Sequence, residues 1–387
     1  MRFIPYGRQA IDEEDIRSVV EVLRSDRLTQ GPKVAEFEEA LAAYCGARYA
    51  VVFSSGTAAL HGAYFAARVQ PGSEVITSPI TFAATANAAL YLGAKPVFAD
   101  IEPDTANIDV TRIENLINKR TRAIAPVHFA GQPCDMDEIH QIARRHGLYV
   151  IEDACHALGA TYKGQRIGSL SDMTVFSFHP VKHIATGEGG AVLTDNPDFV
   201  HKLRMFREHG ITRDAALPGS TNPETEPDPW YYEMQHLGYN YRLTDIQCAL
   251  GISQLKKLDG FLERRREIAR TYDRAFAEVP AIRPPAQKPD RESAYHIYVV
   301  QIDWKAIGRT RREVCALLRQ NGIGTQVHYL PVYRHPYYRS LGYPAGLCPR
   351  AEAYYEAALT LPLFPAMTDE EVQWVIKAVG RLATGTR

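Results

Sequence analysis

Lys182 stands in FSFHPVKHIATGEGG, where an apolar and aromatic run ends in a polar turn and a glycine-rich return. Such a run reads as a short buried strand that delivers side chains at its carboxyl end. A turn lysine taken alone is most often just solvated. Kept neutral by its surroundings, the same amine could attack a carbonyl carbon and carry a proton. Asp153 closes the apolar run 149–152. A carboxylate at a strand end needs hydrogen bonds or a cation: an arginine would serve, and so would the protonated nitrogen of an aromatic ring. His156 follows three residues on, either facing such a ring or satisfied within the fold. Ser54-Ser55-Gly56-Thr57 joins a strand to a helix; serine can cap the helix, glycine admits a ligand to the backbone, and free N–H groups favour an anion. By itself that is only a helix cap. Ser177 sits at the same sheet edge as Lys182 and can donate to an anion, and Phe82 could stack on a ring.

Together these groups describe a site for pyridoxal 5′-phosphate. The ring of that cofactor is an electron sink while its nitrogen stays protonated, which is the role open to Asp153. No one of these residues decides the matter. Their order along the chain is the specific signal.

The elements that would position them alternate. Strands are expected at 49–53, 74–77, 96–99, 123–128, 148–152, 174–178 and 191–194, with helices at 57–67, 81–92, 110–117 and 136–146. Short apolar strands alternating with amphipathic helices predict a mostly parallel seven-stranded sheet covered on both faces, which binds ligands at the carboxyl ends of its strands. Helices at 13–25 and 34–44, joined by a turn at 26–32, come before it. Residues 211–234 read as irregular, with Pro218, Pro223, Pro227 and Pro229 and a Trp230-Tyr231-Tyr232 cluster: a lid, a subunit contact or a surface loop. Residues 245–276 read as one long helix with an apolar stripe of Leu255, Leu258 and Leu262. The expected division is 1–250, an N-terminal arm and large cofactor-binding domain, and 251–387, a smaller α/β domain. The latter should hold strands at 294–302 and 324–328 and helices at 311–320, 350–358 and 369–382.

Composition narrows the class. The chain has 387 residues, 45% hydrophobic and 23% charged, as globular proteins do. Lys and Arg total 44 against 45 Asp and Glu, so no basic surplus points to nucleic acid. The six cysteines are scattered, without zinc or disulfide spacing, and Cys155 reads as a buried inert thiol. No apolar signal core or membrane-length run is visible, and the expected setting is soluble and cytoplasmic.

The strings SSGTAALH, EVITSPITFAATANAAL, VIEDACHALGA, FSFHPVKHIATGEGG and NYRLTDIQCALG resemble the DegT/DnrJ/EryC1 nucleotide-sugar aminotransferases. These are pyridoxal-phosphate enzymes of fold type I, the aspartate-aminotransferase-like architecture. The resemblance runs from PYGRQAIDEEDI to LPLFPAMTDEE. The longer run PWYYEMQHLGYNYRLTDIQCALGISQLKKLDGFLERRREIA is similar to one branch, which aminates UDP-2-acetamido-2,6-dideoxy-β-L-arabino-hexos-4-ulose in pseudaminic acid biosynthesis.

The resemblance implies roles. Lys182 would bind the cofactor covalently, Asp153 would pair with its ring nitrogen, and His156 would lie beside the ring. Gly56, Thr57 and Ser177 would hold the phosphate. Asn240, with Arg242, would reach the site of a neighbouring subunit, making a homodimer with shared active sites. Tyr6, Arg27, Leu28, Thr29, Gln326, His328 and Tyr329 would lie near the nucleotide sugar, and L-glutamate would donate nitrogen. Tyr6 and Tyr329 could equally be packing aromatics. His183 departs from relatives that often carry a smaller or amide residue there, which touches sugar fit. Alternatives are a 4- or 3-aminotransferase for another nucleotide-linked ketosugar, a pyridoxal-phosphate sugar dehydratase, which the retained Lys182 disfavours, and a regulator without catalysis on the same scaffold.

Overall fold

The computed structural model describes residues 3–213 and 228–384. Most of the irregular stretch expected at 211–234 therefore lies outside the described residues. Its ends pair as two short strands, Ile211–Thr212 against Glu233–Met234.

The strands in chain order are β1 Tyr49–Phe53, β2 Glu74–Thr77, β3 Lys95–Phe98, β4 Thr121–Ala125, β5 Tyr149–Asp153, β6 Thr161–Tyr162, β7 Gln165–Arg166, β8 Met173–Ser177 and β9 Gly190–Thr194. Seven of them form one sheet in the order β1-β9-β8-β5-β4-β2-β3. Neighbours are parallel except around β9, which runs antiparallel to both β1 and β8. The expected mostly parallel sheet is present. The short β6–β7 hairpin was not expected from the sequence.

Period-2 alternation explains why the strands are apolar throughout. Ala50, Val52, Val150, Phe176 and Leu193 enter one core, with Phe37, Leu41 and Ile139 of the helices Pro32–Cys45 and Met136–His146. Val51, Phe53, Ile151, Val175 and Val192 enter the other, with Leu60, Ala88 and Leu203 of the helices Gly56–Ala66, Ala84–Tyr91 and Pro197–Arg207. Both faces are covered, so neither shows a polar alternation.

Downstream, a three-stranded antiparallel sheet of Ile282–Arg283, Tyr298–Ile302 and Ala358–Leu361 has its own core. Tyr272, Phe276, Val314, Leu318, Val372 and Val375 fill it. Among the described residues no helix is long and apolar enough to cross a membrane.

Several expected elements are corrected. Residues 110–117 are two 3₁₀ turns, because the Asp109 carboxylate accepts from the Thr111 N–H and hydroxyl and fixes a tight turn. The long helix at 245–276 is two, Asp245–Lys256 and Leu258–Phe276. Lys257 breaks it and turns its ammonium onto Asp12 and Asp15, both at 2.7 Å. The apolar stripe passes through the break, so periodicity could not reveal it. Residues 324–328 form no strand; Gln326 makes one isolated bridge, to Thr360. Residues 294–297 are not strand either. They hydrogen-bond to the 130–131 turn: Ala294 N–H donates to Gly131 O at 3.0 Å and His296 N–H to Ala130 O at 2.9 Å.

Candidate active site

The strands β1, β5 and β8 end at one edge, and a cavity of about 720 Å³ opens there. That volume lies within the roughly 300–1,000 Å³ typical of small-molecule sites. Lys182, Asp153, His156, Ser177, Gly56 and Thr57 all line it. So do Phe82, Tyr6, Gln326, His328 and Tyr329. The expected residues Arg27, Leu28 and Thr29 do not; they lie on an exposed turn whose Leu28 carbonyl accepts from the Asp245 N–H at 3.0 Å. Asn240 is exposed and outside the cavity of its own chain, and Arg242 faces Glu208 at 3.6 Å. His183 does not line the cavity either. It is buried, and its Nε2 donates to Ala294 O at 3.1 Å, so its side chain has no direct bearing on sugar fit.

The anion cradle follows from local rules. Ser55 caps the Gly56–Ala66 helix by accepting from Ala58 N–H at 3.1 Å, a contact worth about 1 kcal/mol. Gly56 and Thr57, the first residues of that helix, line the cavity at the positive end of its dipole. A Cβ on Gly56 would lie 2.8 Å from Ser177 Cβ and 3.1 Å from its Oγ. Glycine is required because helix and strand approach this closely, which brings the Ser177 hydroxyl to the N–H groups. We expect Gly56→Ala to strain this contact by about 1–3 kcal/mol. Pyridoxal phosphate affinity, read by absorbance titration of the purified protein, should fall at least about tenfold.

Asp153 is 6% exposed and no lysine or arginine ion-pairs with it among the described residues. The Thr85 hydroxyl donates to its Oδ2 at 2.5 Å, and the Cys155 N–H to its Oδ1 at 3.1 Å. Thr85 is in turn bonded to Thr81, with 2.7 Å between hydroxyl oxygens. A buried carboxylate with two neutral donors and no cation, facing an open cavity, fits a protonated ring nitrogen. Phe82 precedes the helix, which starts at Ala84 rather than near residue 81, and stays 62% exposed at the cavity wall. A free ring face there fits stacking. These features match the cofactor expected from the sequence.

Burial lowers the pKa of the Lys182 ammonium, opposed by Cys155 and Asp153. His156 is pushed well below the usual imidazole range, by burial first and by Lys182 next. Its Nε2 lies 3.3 Å from the Tyr329 hydroxyl, and its buried Nδ1 has no hydrogen-bond partner among the described residues. His328 is pushed down to about 3 by burial and holds Thr360 Oγ1 at 2.8 Å through Nδ1. Tyr6 leans on His328 with ring centroids 5.5 Å apart. Burial raises the Cys155 thiol pKa, consistent with an unreactive thiol, although it lines the cavity rather than the core.

Sequence reasoning missed Thr85 and His296. Thr85 had a signal: it follows Thr81 by four residues, one helical turn, as hydroxyls that meet would. His296, whose Nε2 is 3.5 Å from Lys182 Nζ, had none, since it comes from a segment read as strand.

Comparison with known proteins agrees with this geometry. Residues 9–380 match the DegT/DnrJ/EryC1/StrS aminotransferase family. The chain is 46% identical over 385 residues to the spore coat polysaccharide biosynthesis protein SpsC of Bacillus subtilis, covering 99% of this chain and 98% of that one. It is 42% identical over 375 residues to a UDP-4-amino-4,6-dideoxy-N-acetyl-beta-L-altrosamine transaminase of Campylobacter jejuni, covering 96% and 95%. The solved structure of Helicobacter pylori PseC, an aminotransferase involved in the biosynthesis of pseudoaminic acid, superposes with a TM-score of 0.91 at 36% identity, over 99% and 100% of the two chains.

Proposed function

This chain belongs to the DegT/DnrJ/EryC1/StrS aminotransferase family and is a pyridoxal-phosphate-dependent sugar aminotransferase; from that premise we propose that it moves nitrogen from L-glutamate to C4 of UDP-2-acetamido-2,6-dideoxy-β-L-arabino-hexos-4-ulose, giving UDP-4-amino-4,6-dideoxy-N-acetyl-β-L-altrosamine. The observation that carries the sugar assignment is the 42% identity, over 96% of the chain, to a transaminase named for that product.

When bound, the cofactor supplies a ring that stabilises negative charge at the carbon losing its proton. The chain's residues do the rest. Asp153 would keep the ring nitrogen protonated. Gly56, Thr57 and Ser177 would hold the phosphate, and Phe82 would lie against the ring. Lys182 would hold the cofactor covalently, and its free Nζ would take the proton from the donor α-carbon and return one to the product side. The lowered ammonium pKa supports that role, because a larger fraction of the amine is neutral near neutral pH.

A homodimer is part of the reading. Asn240, Arg242 and residues 27–29 lie outside their own cavity, so each would serve the cavity of a partner copy. The exposed apolar side chains of Trp230 (75%), Met234 (66%) and Leu237 (75%), in the same stretch as Asn240, support a covered surface there.

The test is a panel of UDP- and dTDP-linked 3- and 4-ketosugars assayed with glutamate. The expected outcome is kcat/KM for the β-L-arabino 4-ketosugar at least about tenfold above every other member. A higher value for another ketosugar overturns the sugar assignment. The 46% identity to a relative named for spore coat polysaccharide favours that second reading, amination of a different nucleotide-linked ketosugar.

A further inference from the structure

Lys182 has a neighbour that its assigned chemistry leaves unused. The imidazole of His296 is 4% exposed, and its Nε2 lies 3.5 Å from Lys182 Nζ. Its Nδ1 is buried with no hydrogen-bond partner among the described residues, and its ring lies 4.3 Å, centroid to centroid, from that of His156. A buried imidazole with one nitrogen orphaned and the other on a lysine is poorly explained as core packing.

The backbone around it is over-determined. His296 N–H donates to Ala130 O, and Arg265, itself 1% exposed, donates through Nη1 to His296 O at 3.1 Å, Tyr295 O at 3.3 Å and Leu363 O at 3.0 Å. Tyr295 and Ala130 are both held in the left-handed region, at φ 44° and 56°. Such residues cost on the order of 1–3 kcal/mol each and persist where the surroundings impose them. Gly131 lies between them at φ 103°, and a Cβ there would sit 2.7 Å from Tyr295 N. All of this fixes where one imidazole points.

We propose that His296 is the positioning residue for the Lys182 amine, holding Nζ at the sheet edge through Nε2 whenever that amine is released from the cofactor. The inference rests on reading Lys182 as the cofactor-bearing lysine. The proton balance is simple. Nζ takes a proton from the donor α-carbon and becomes an ammonium. The ammonium donates one hydrogen bond to the Nε2 lone pair and keeps the proton until it is returned to carbon; His296 neither gains nor loses one. Asp153 makes no hydrogen bond or ion pair with Nζ among the described residues, whereas His296 Nε2 does stand within reach of it. His296 must stay neutral to accept. Burial, the Lys182 charge, His156, His183 and the Arg265 guanidinium all disfavour its cation. The other titratable groups that line the cavity are Asp153, Cys155 and His156 at and just after the end of β5, His179 and Glu188 on either side of Lys182 in the chain, and Tyr6, His328, Tyr329 and His335.

The test uses His296→Phe, which removes the acceptor, and His296→Gln, which restores one. In the full-length cofactor-free protein, acetylation of Lys182 by acetic anhydride is followed by mass spectrometry against pH. An ammonium without its acceptor loses its proton more readily, so the labelling curve of His296→Phe should move to lower pH. On the acid side of the wild-type midpoint its Lys182 should label about tenfold faster than in wild type. His296→Gln should stay within about twofold. In the holoenzyme, His296→Phe should lower kcat about tenfold or more with glutamate KM changed less than about threefold, and His296→Gln should recover most of it. If Phe does not fold, His296→Leu takes its place with the same expectation. Labelling of the Phe or Leu variant along the wild-type curve overturns the proposal, even with a lowered Tm, which is all that a packing role would produce. Turnover by Lys182→Ala would instead sink the underlying reading and leave the labelling result standing, so the two failures are distinguishable.

Discussion

Lys182→Ala is expected to lower aminotransfer by at least about 10³-fold, the scale of a lost general acid–base group, and to leave no cofactor fixed to residue 182 after borohydride treatment. Two observations support so large an effect. Among the described residues the amine is the one lysine lining the cavity, and burial depresses its pKa. The sign of the pH dependence follows. The working base is the neutral amine, so wild-type kcat should fall on the acid side as Nζ is protonated, at a pH below that of an ordinary lysine. Lys182→Arg should be as inactive as the alanine variant, because a guanidinium cannot give up its proton. The measurement is glutamate-dependent amination of the keto sugar, with circular dichroism to verify folding. Turnover by Lys182→Ala within tenfold of wild type would show that the proton passes through another group.

Asp153→Asn is expected to reduce kcat by about 10²–10³-fold, in line with the removal of a preorganised electrostatic partner, with the fold intact. The amide has the shape of the carboxylate; its single oxygen can accept from the Cys155 N–H while its NH2 donates to the Thr85 hydroxyl oxygen, which reverses the bond that Thr85 makes in the wild type. What it lacks is the negative charge that keeps a ring nitrogen protonated. Asp153 has no cationic partner within the described fold, so the charge is not already committed to an internal ion pair. Cofactor should remain bound through Lys182 and the phosphate cradle, and the loss should appear in kcat rather than in cofactor content. A variant that keeps wild-type kcat would mean the ring nitrogen needs no carboxylate.

Much of the site was legible because its parts sit at strand ends, and strand ends are written locally. The apolar runs before Ser54, Asp153 and Lys182 announce β1, β5 and β8, and parallel sheets gather such ends at one edge. All seven strands of the large sheet lie within a few residues of where their apolar runs place them. The misses were of another kind. The break at Lys257 depends on Asp12 and Asp15, more than 200 residues earlier in the chain. The short turns at 110–117 depend on one carboxylate outcompeting a helical pattern.

The sequence by itself determined the sheet, the lysine, the carboxylate and the glycine cradle, because each is set by residues adjacent in the chain. Only the tertiary structure decided what surrounds the amine. His296 comes to Lys182 from 114 residues away, by way of a turn that hydrogen-bonds to residues 130–131. Thr85 meets Asp153 across 68 residues. His183, adjacent in sequence to the lysine, is turned away into the core. Local periodicity places a backbone on a face. Which side chains then share a cavity is set by how separate elements close on one another, and that information is spread over the whole chain.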